Sequence, residues 1–425
     1  MTKLYKYIFT YLFPIIMLDY YLILRGLNLN SFIVLPIFFL LTVLALKLAH
    51  RYRGDLFVAG MNIFLFYSLF TVVFYAFNDA PFDCYTTTLR SFVFPIIFAY
   101  LGYGYSKDHE FNKWYLYGCA FCFLVGFYLY LNAPSYYVAY MAEVRENAFN
   151  ARSDVNETNI LEYTRFSSFF ATSYAISCFS IPALILSLSF SLKSDKATTK
   201  LLFFVIAFAS FIAAILCQQR IAMAFAIIVV IFWLLYSRRV SNVKSTFVVV
   251  LSYVLAVILS VYLLGMITNY EWFGRVSFLV DTRFEEMNFA QAMGVRSKQY
   301  DTFDRMTDFS FLFGLGLGSC GHAAVSAGLK AVADGEFIKM FYELGLIGVI
   351  MFSIVVIPTL FRGIKYFKYY YVEVVIIIFY LAAGIASNSI TFFIFSIMFW
   401  YSLGRIWNKS YFDLLQQERL SKTIK

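Results

Sequence analysis

Charge is scarce in this chain: Asp, Glu, Lys and Arg make up 14% of its 425 residues, while 61% are hydrophobic. Ordinary soluble domains carry about 25% charged residues, so a soluble globular fold is excluded. Histidine is scarcer, at three residues, His50, His109 and His322. The topology derived below leaves only His322 on the outer side, so no metal set can form there. Neither a resident metal nor a cofactor is expected, and a metal-free mechanism is favoured. The cysteines are uninformative. Cys119 and Cys122 form a C-x-x-C inside an apolar run, where small residues on one helix face serve packing. Cys84 and Cys320 both fall in outer segments and share a compartment in which they could pair, which spacing alone does not decide.

What the chain has instead is long apolar runs. A hydrocarbon core roughly 30 Å thick takes about 20 apolar residues per helix. Runs of that kind give an all-α polytopic membrane protein, a single membrane domain over 1–425 with about twelve spans. They fall near 5–24, 31–49, 56–77, 88–105, 113–132, 168–192, 200–217, 221–237, 246–267, 337–360, 372–386 and 388–404. The last two, around Ser387-Asn388, read either as two spans or as one re-entrant hairpin. The first is too long for a cleavable signal peptide, and no small-residue cleavage site follows it.

Lys and Arg set the orientation, because short positive loops stay in the cytoplasm. The tracts "KLAHRYRGD", "SKDHEFNK", "KSDKATTK", "SRRVSNVKS", "RGIKYFK" and "WNKSYFDLLQQERLSKTIK" fall on alternate loops, on the side of Lys3 and Lys6. Both termini are therefore expected in the cytoplasm, with the chain in a membrane among its lipids. The net charge of +9 is a topology signal, and nucleic acid is not an expected partner.

Two outer loops, 133–167 and 268–336, are far longer than the rest, and loops of that length are usually functional or disordered. In the second, aromatic and apolar residues recur among charges, as in "FGRVSFLVDTRFEEMNFAQAMGVRSKQYDTFDRM". That suggests short amphipathic helices on the membrane surface or capping a cavity. Near its end, "FGLGLGSCGH" holds GxGxxG at Gly316, Gly318 and Gly321. A dinucleotide site needs a βαβ unit around this pattern, which is missing. Two compatible readings remain: a tight turn that brings the loop back to the membrane, or a nest of backbone amides for phosphate.

Arginine outnumbers lysine on this side. Arg25, Arg90, Arg145, Arg152, Arg165, Arg220, Arg275, Arg283, Arg296 and Arg305 stand against Lys298, Lys330 and Lys339. Guanidinium grips phosphate or carboxylate with paired hydrogen bonds, so the pattern suits an anionic ligand, although loop acids and headgroups occupy most such residues. Arg220 stands out because "CQQRIAMAF" is a minimal turn between two spans. Arg165 sits just before a span, in "YTRFSSFFATSY".

The stretch "ADGEFIKMFYELGLIG", from Ala333, opens a span with Asp334, Glu336, Lys339 and Glu343. A charge at bilayer centre costs about 2.5–3.5 kcal/mol. At helical spacing Glu336, Lys339 and Glu343 form one stripe, with Glu343 roughly 10 Å deeper than Glu336. Such a stripe belongs along a wet cavity or in a pair, and pairing of Glu343 with Lys339 is the expectation. Asp334 precedes the helix and can cap it through the amide of Glu336 or Phe337.

Four stretches, "RFSSFFATSYAIS", "QQRIAMAFAIIVV", "RSKQYDTFDRMTDFSFLFGLGLGS" and "DGEFIKMFYELGLIGVIMF", occur in an order and spacing that resembles the O-antigen polymerase and ligase superfamily. The likeness covers roughly residues 160–360 and the many-helix layout. Within it the chain is more similar to the polymerases (Wzy-type) than to the ligases, whose His-Asn pair before "ELG" is replaced here by Asp334-Gly335. It departs from the polymerases too, with "ATSY" where Pro or Asn commonly follows the first arginine.

The resemblance implies a polysaccharide polymerase. It would join undecaprenyl-pyrophosphate-linked oligosaccharides on the outer side of the membrane, with a chain-length regulator as a further partner. Such a reaction needs cations for the pyrophosphate and a base for the acceptor hydroxyl. Asp334 is the candidate base, which is compatible with capping, and Arg165, Arg220, Arg296 and Glu336 are candidate substrate-binding residues. The alternatives are a ligase transferring glycan to lipid A-core and a lipid-linked oligosaccharide flippase or transporter.

Overall fold

The computed structural model describes residues 2–27, 34–77, 82–105, 110–132, 134–141, 166–170, 172–217, 219–238, 306–320, 335–391 and 393–413. The protein is an all-α polytopic membrane protein, with no strand among the described residues. In chain order the helices are α1 (Thr2–Leu24), α2 (Val34–Arg51), α3 (Leu56–Phe70), α4 (Phe82–Tyr105) and α5 (Glu110–Asn132). There follow α6 (Ser173–Lys193), α7 (Ala197–Leu216), α8 (Arg220–Arg238), α9 (Asp308–Phe313), α10 (Glu336–Lys365), α11 (Phe367–Ala386) and α12 (Ile397–Trp407). Short 3-10 turns at Thr71–Phe77 and Phe393–Ser396 extend α3 and precede α12.

Nine helices among the described residues are long and apolar enough to cross a membrane, and Arg220–Leu235 is a shorter apolar one. The span expected near 246–267 lies outside the described residues, as do most of 133–167 and 268–336. Pro14, Pro95, Pro182 and Pro358 all sit inside helices, which membrane helices tolerate because neighbouring groups satisfy the freed carbonyls.

The centre of the bundle is α6, buried around nearly its whole circumference and packed on α7, α8, α11 and α5. Its serines do not disrupt it, because Ser177, Ser180, Ser187 and Ser191 donate back to carbonyls three residues earlier. That bonding satisfies the hydroxyls within the helix and leaves small side chains for close packing.

The helix ends define two faces. Trp407, at the end of α12, lies 5.9 Å from Phe57 near the start of α3 and 4.9 Å from Arg362 near the end of α10. Arg51, Lys193 and Lys365 end their helices in the same sense, so this is the basic face. The starts of α8 and α10 and the end of α11 lie at the opposite one.

Several expected boundaries move: the span read from 388 becomes an α-helix only at Ile397, and the one read from 88 starts at Phe82. The span read from residue 168 starts as a helix only at Ser173. Ser168 takes φ 53°, and residues 166–170 form a buried turn wedged into the bundle. The Ser168 hydroxyl donates to Cys122 O at 2.7 Å, and Phe166 N donates to Leu216 O at 3.1 Å. A side chain at Gly126 would collide with Ser168, so that glycine makes room for the turn. Thr172 then caps α6 by accepting from Tyr174 N at 3.2 Å.

Candidate functional site

The polar entrance of α10 meets the break between the last two helices. Helix α11 stops at Ala386, and α12 begins only at Ile397. The chain between them is not a continuous helix, yet Asn388, Ser389, Ile390 and Thr391 are buried. Buried backbone amides must find partners within the protein. Here Glu336 supplies them: its Oε2 accepts from Ile390 N at 2.9 Å and from Thr391 N at 3.1 Å, while its Oε1 accepts from the Thr391 hydroxyl. The break is tied down elsewhere by Trp400 Nε1 on Ile390 O at 2.8 Å, Ser389 Oγ on Tyr380 O at 2.8 Å and the Tyr380 hydroxyl on Phe395 O at 2.5 Å. Helix α11 thus runs from the basic face to the opposite one, and the chain turns through 387–396 before α12 returns to the basic face.

Lys339 continues the polar chain inward. Its Nζ donates to Thr391 Oγ1 at 3.1 Å and lies 4.0 Å from Glu343 Oε2. The expected pairing of Lys339 with Glu343 is therefore present, although at 4.0 Å it is a loose contact. All three members of the stripe are buried.

A second break lies one turn deeper. Gly345 interrupts α10 with φ 64° and ψ −174°, which leaves preceding carbonyls without helical partners. The glycine-rich segment fills the gap. Leu315 N donates to Tyr342 O at 2.7 Å and Gly316 N to Glu343 O at 3.0 Å. The Tyr67 hydroxyl from α3 lies within hydrogen-bonding distance of both Leu344 O, at 2.8 Å, and Phe313 O, at 2.9 Å. Side chains at Gly314 or Gly345 would collide with the facing backbone. "FGLGLGS" is therefore the tight turn returning to the bundle, with positive φ at Gly314, Gly316 and Gly318.

Of the residues singled out in the sequence, Arg220 and Glu336 are described. Arg220 is exposed and is the first residue of α8. A cation there is opposed by the helix dipole, so helix stability does not explain its position. Glu336 is 0% exposed, and the contacts of its carboxylate run to Ile390 and Thr391. Asp334, Arg165 and Arg296 lie outside the described residues. The N-cap position of α10 falls on Gly335, with φ 106°. Cys84 and Cys320 are buried free thiols, and so are Cys119 and Cys122.

The motif stretches come together in pairs. Residues 166–173 meet 216–219 through Phe166 N and Leu216 O and through Gln219 Nε2 and Ser173 Oγ, at 3.5 Å. Residues 313–316 meet 342–345 at the α10 break. Segment 387–396 joins the pairs: Tyr174 faces Ser387 and Ser389, Phe170 meets Phe395 edge-to-face at 5.5 Å, and Glu336 holds Ile390 and Thr391. Thr391 and Ser389 were not among the sequence candidates. The signal for them was "SNSIT", a run of small polar residues inside an apolar stretch. No family model matches the chain, and no curated protein matches it.

Proposed function

We propose that this protein is a polysaccharide polymerase of the bacterial inner membrane. On this reading it is a metal-independent glycosyltransferase that joins undecaprenyl-pyrophosphate-linked repeat units on the outer side. The observation that carries the reading is the meeting of the motif stretches around segment 387–396, at the face opposite the basic helix ends. The positive residues of that basic face support cytoplasmic termini. Arg165, Arg220 and Arg296 would bind the pyrophosphate, Asp334 would take the acceptor proton, and Glu336 would act through Thr391 by fixing the break beside them.

One observation favours a second reading. Interrupted helices, here α10 at Gly345, are where transporters place their substrate sites. A single assay separates the two. Purified protein in liposomes receives undecaprenyl-pyrophosphate repeat units and is scored for lipid-linked dimer and for movement of labelled lipid between leaflets. Dimer without added enzymes supports the polymerase, and leaflet exchange without dimer supports the transporter. Product formed only when lipid A-core is present would assign the ligase reaction. Cysteine labelling in intact cells checks the orientation: an accessible tail with inaccessible 133–167 and 268–336 would refute it and the reaction with it.

A further inference from the structure

The glycine-rich segment at 314–320 has the pattern of an anion-binding nest, yet the reaction proposed for this protein makes no use of it. Its backbone is held from three sides. Leu315 N and Gly316 N donate to the carbonyls at the α10 break, and Leu317 N donates to Thr71 Oγ1 at 3.2 Å, in the 3-10 turn after α3. A Cβ on Gly318 would collide with the Cys84 carbonyl and the Thr88 hydroxyl of α4. Gly316 to Cys320 are all buried, so the nest is closed to solvent.

Positive φ at alternate residues, here Gly314, Gly316 and Gly318, is a conformation in which neighbouring amides converge on an anion. The chain supplies that anion itself. Glu343 is one of four acids buried among the described residues, with Asp19, Glu336 and Glu373. Its carboxylate is faced by the amides of Gly318 and Cys320, and its Oε2 lies 4.0 Å from Lys339 Nζ. No hydrogen bond closes on Oε1 among the described residues, so the seat is loose and rests on converging dipoles and one cation. Glu336 is held alike, by the amides of Ile390 and Thr391. Lys339 stands between the two acids, donating to Thr391 Oγ1 at 3.1 Å, and the same hydroxyl donates to Glu336. Two carboxylates of one helix thus each meet a pair of amides from another segment, and a single lysine joins them.

We propose that the glycine-rich segment is a carboxylate seat whose occupant is Glu343, and that Lys339 couples this seat to the Glu336 contact at 390–391. Glu343 is then a positioning residue. It fixes the backbone of the segment and leaves no place in the nest for a phosphate of the substrate. The inference holds whichever reaction the protein catalyses.

Hydrogen exchange of the full chain in lipid nanodiscs, read by mass spectrometry, tests it. Glu343→Ala should speed exchange in peptides covering 314–320 about tenfold, near the lower bound for hydrogen bonds to a charged group, while peptides from 177–191 in α6 stay as in the wild type. Formate, set against a chloride control of equal ionic strength, should slow the variant again by refilling the seat and leave the wild type unchanged. Lys339→Met should speed both 314–320 and 387–391. Acceleration by Glu343→Ala that formate does not reverse would mean that only volume was lost, and it overturns the seat. Protection of the wild type by inorganic phosphate overturns it too, by making the nest a phosphate site. A Lys339→Met effect confined to one segment overturns the coupling. Where the alanine variant does not insert, Glu343→Gln, which keeps the volume, decides alone: exchange at the wild-type rate overturns the proposal.

Discussion

Thr391 meets Glu336 twice across the bundle, donating from its backbone amide at 3.1 Å and from its hydroxyl. The same hydroxyl oxygen accepts from Lys339 Nζ at 3.1 Å, so one small side chain carries the contact between a buried anion and a buried cation. Thr391→Val keeps shape and the backbone bond but removes the hydroxyl. The loss should be about 1–3 kcal/mol, because a charged donor and a charged acceptor both lose a buried partner. Thr391→Ser should restore most of it. Thermal unfolding in detergent is the measurement, and equal melting of the Val and Ser variants would mean that the hydroxyl bridge contributes nothing.

Gly345 and Gly314 should be intolerant of alanine for a shared reason. Each has positive φ, and a Cβ on either would collide with the backbone of the other's segment. Gly26 is the control: it has φ 82° but nothing within 4 Å of a Cβ. Gly26→Ala should therefore cost only the backbone strain, about 1–2 kcal/mol. Gly345→Ala and Gly314→Ala should cost clearly more and expose the glycine-rich segment to protease. Cleavage patterns identical to the wild type would show that the segment does not depend on this close approach.

How much of this was legible in the sequence depends on the kind of signal. Apolar runs locate most of the described helices, since hydrocarbon thickness fixes their length, but not the late start of α12 at Ile397. The pairing of Lys339 with Glu343 was legible because it is local, four residues apart on one helix. The acceptor role of Glu336 was not, because its donors lie 54 and 55 residues away, and no periodicity encodes a backbone amide freed by a helix break. Asp19 was missed differently. It is a single acid inside an otherwise apolar run, and hydropathy averages it away. The turn at Ser168 was hidden because "RFSSFF" is apolar enough to read as the start of a span.

Arg220 separates a structural from a ligand-binding role without depending on the rest of the site. It is exposed at a helix start, where the helix dipole opposes a cation. Arg220→Ala should leave expression and melting within about 0.5 kcal/mol of the wild type, yet sharply reduce lipid-linked dimer. Arg220→Lys should rescue poorly, since paired hydrogen bonds to phosphate need the planar fork. The same pattern is expected of Arg165 and Arg296 if the three act on one pyrophosphate. Full rescue by lysine would reduce the role to unspecific charge.

Asp334 decides where the proton of the acceptor hydroxyl goes. Because the N-cap position of α10 belongs to Gly335, the Asp334 side chain is not required in that position. Asp334→Asn and Asp334→Ser should both insert and melt like the wild type, with any loss at or below about 1 kcal/mol. If Asp334 is the base, both should fail to form lipid-linked dimer, since neither side chain can take a proton from a sugar hydroxyl. Substantial dimer from Asp334→Asn would sink the assignment. Glu336 would then be a poor successor, because its two oxygens already accept from Ile390, Thr391 and the Thr391 hydroxyl. Taking a further proton there would weaken the bonds that hold the break between α11 and α12.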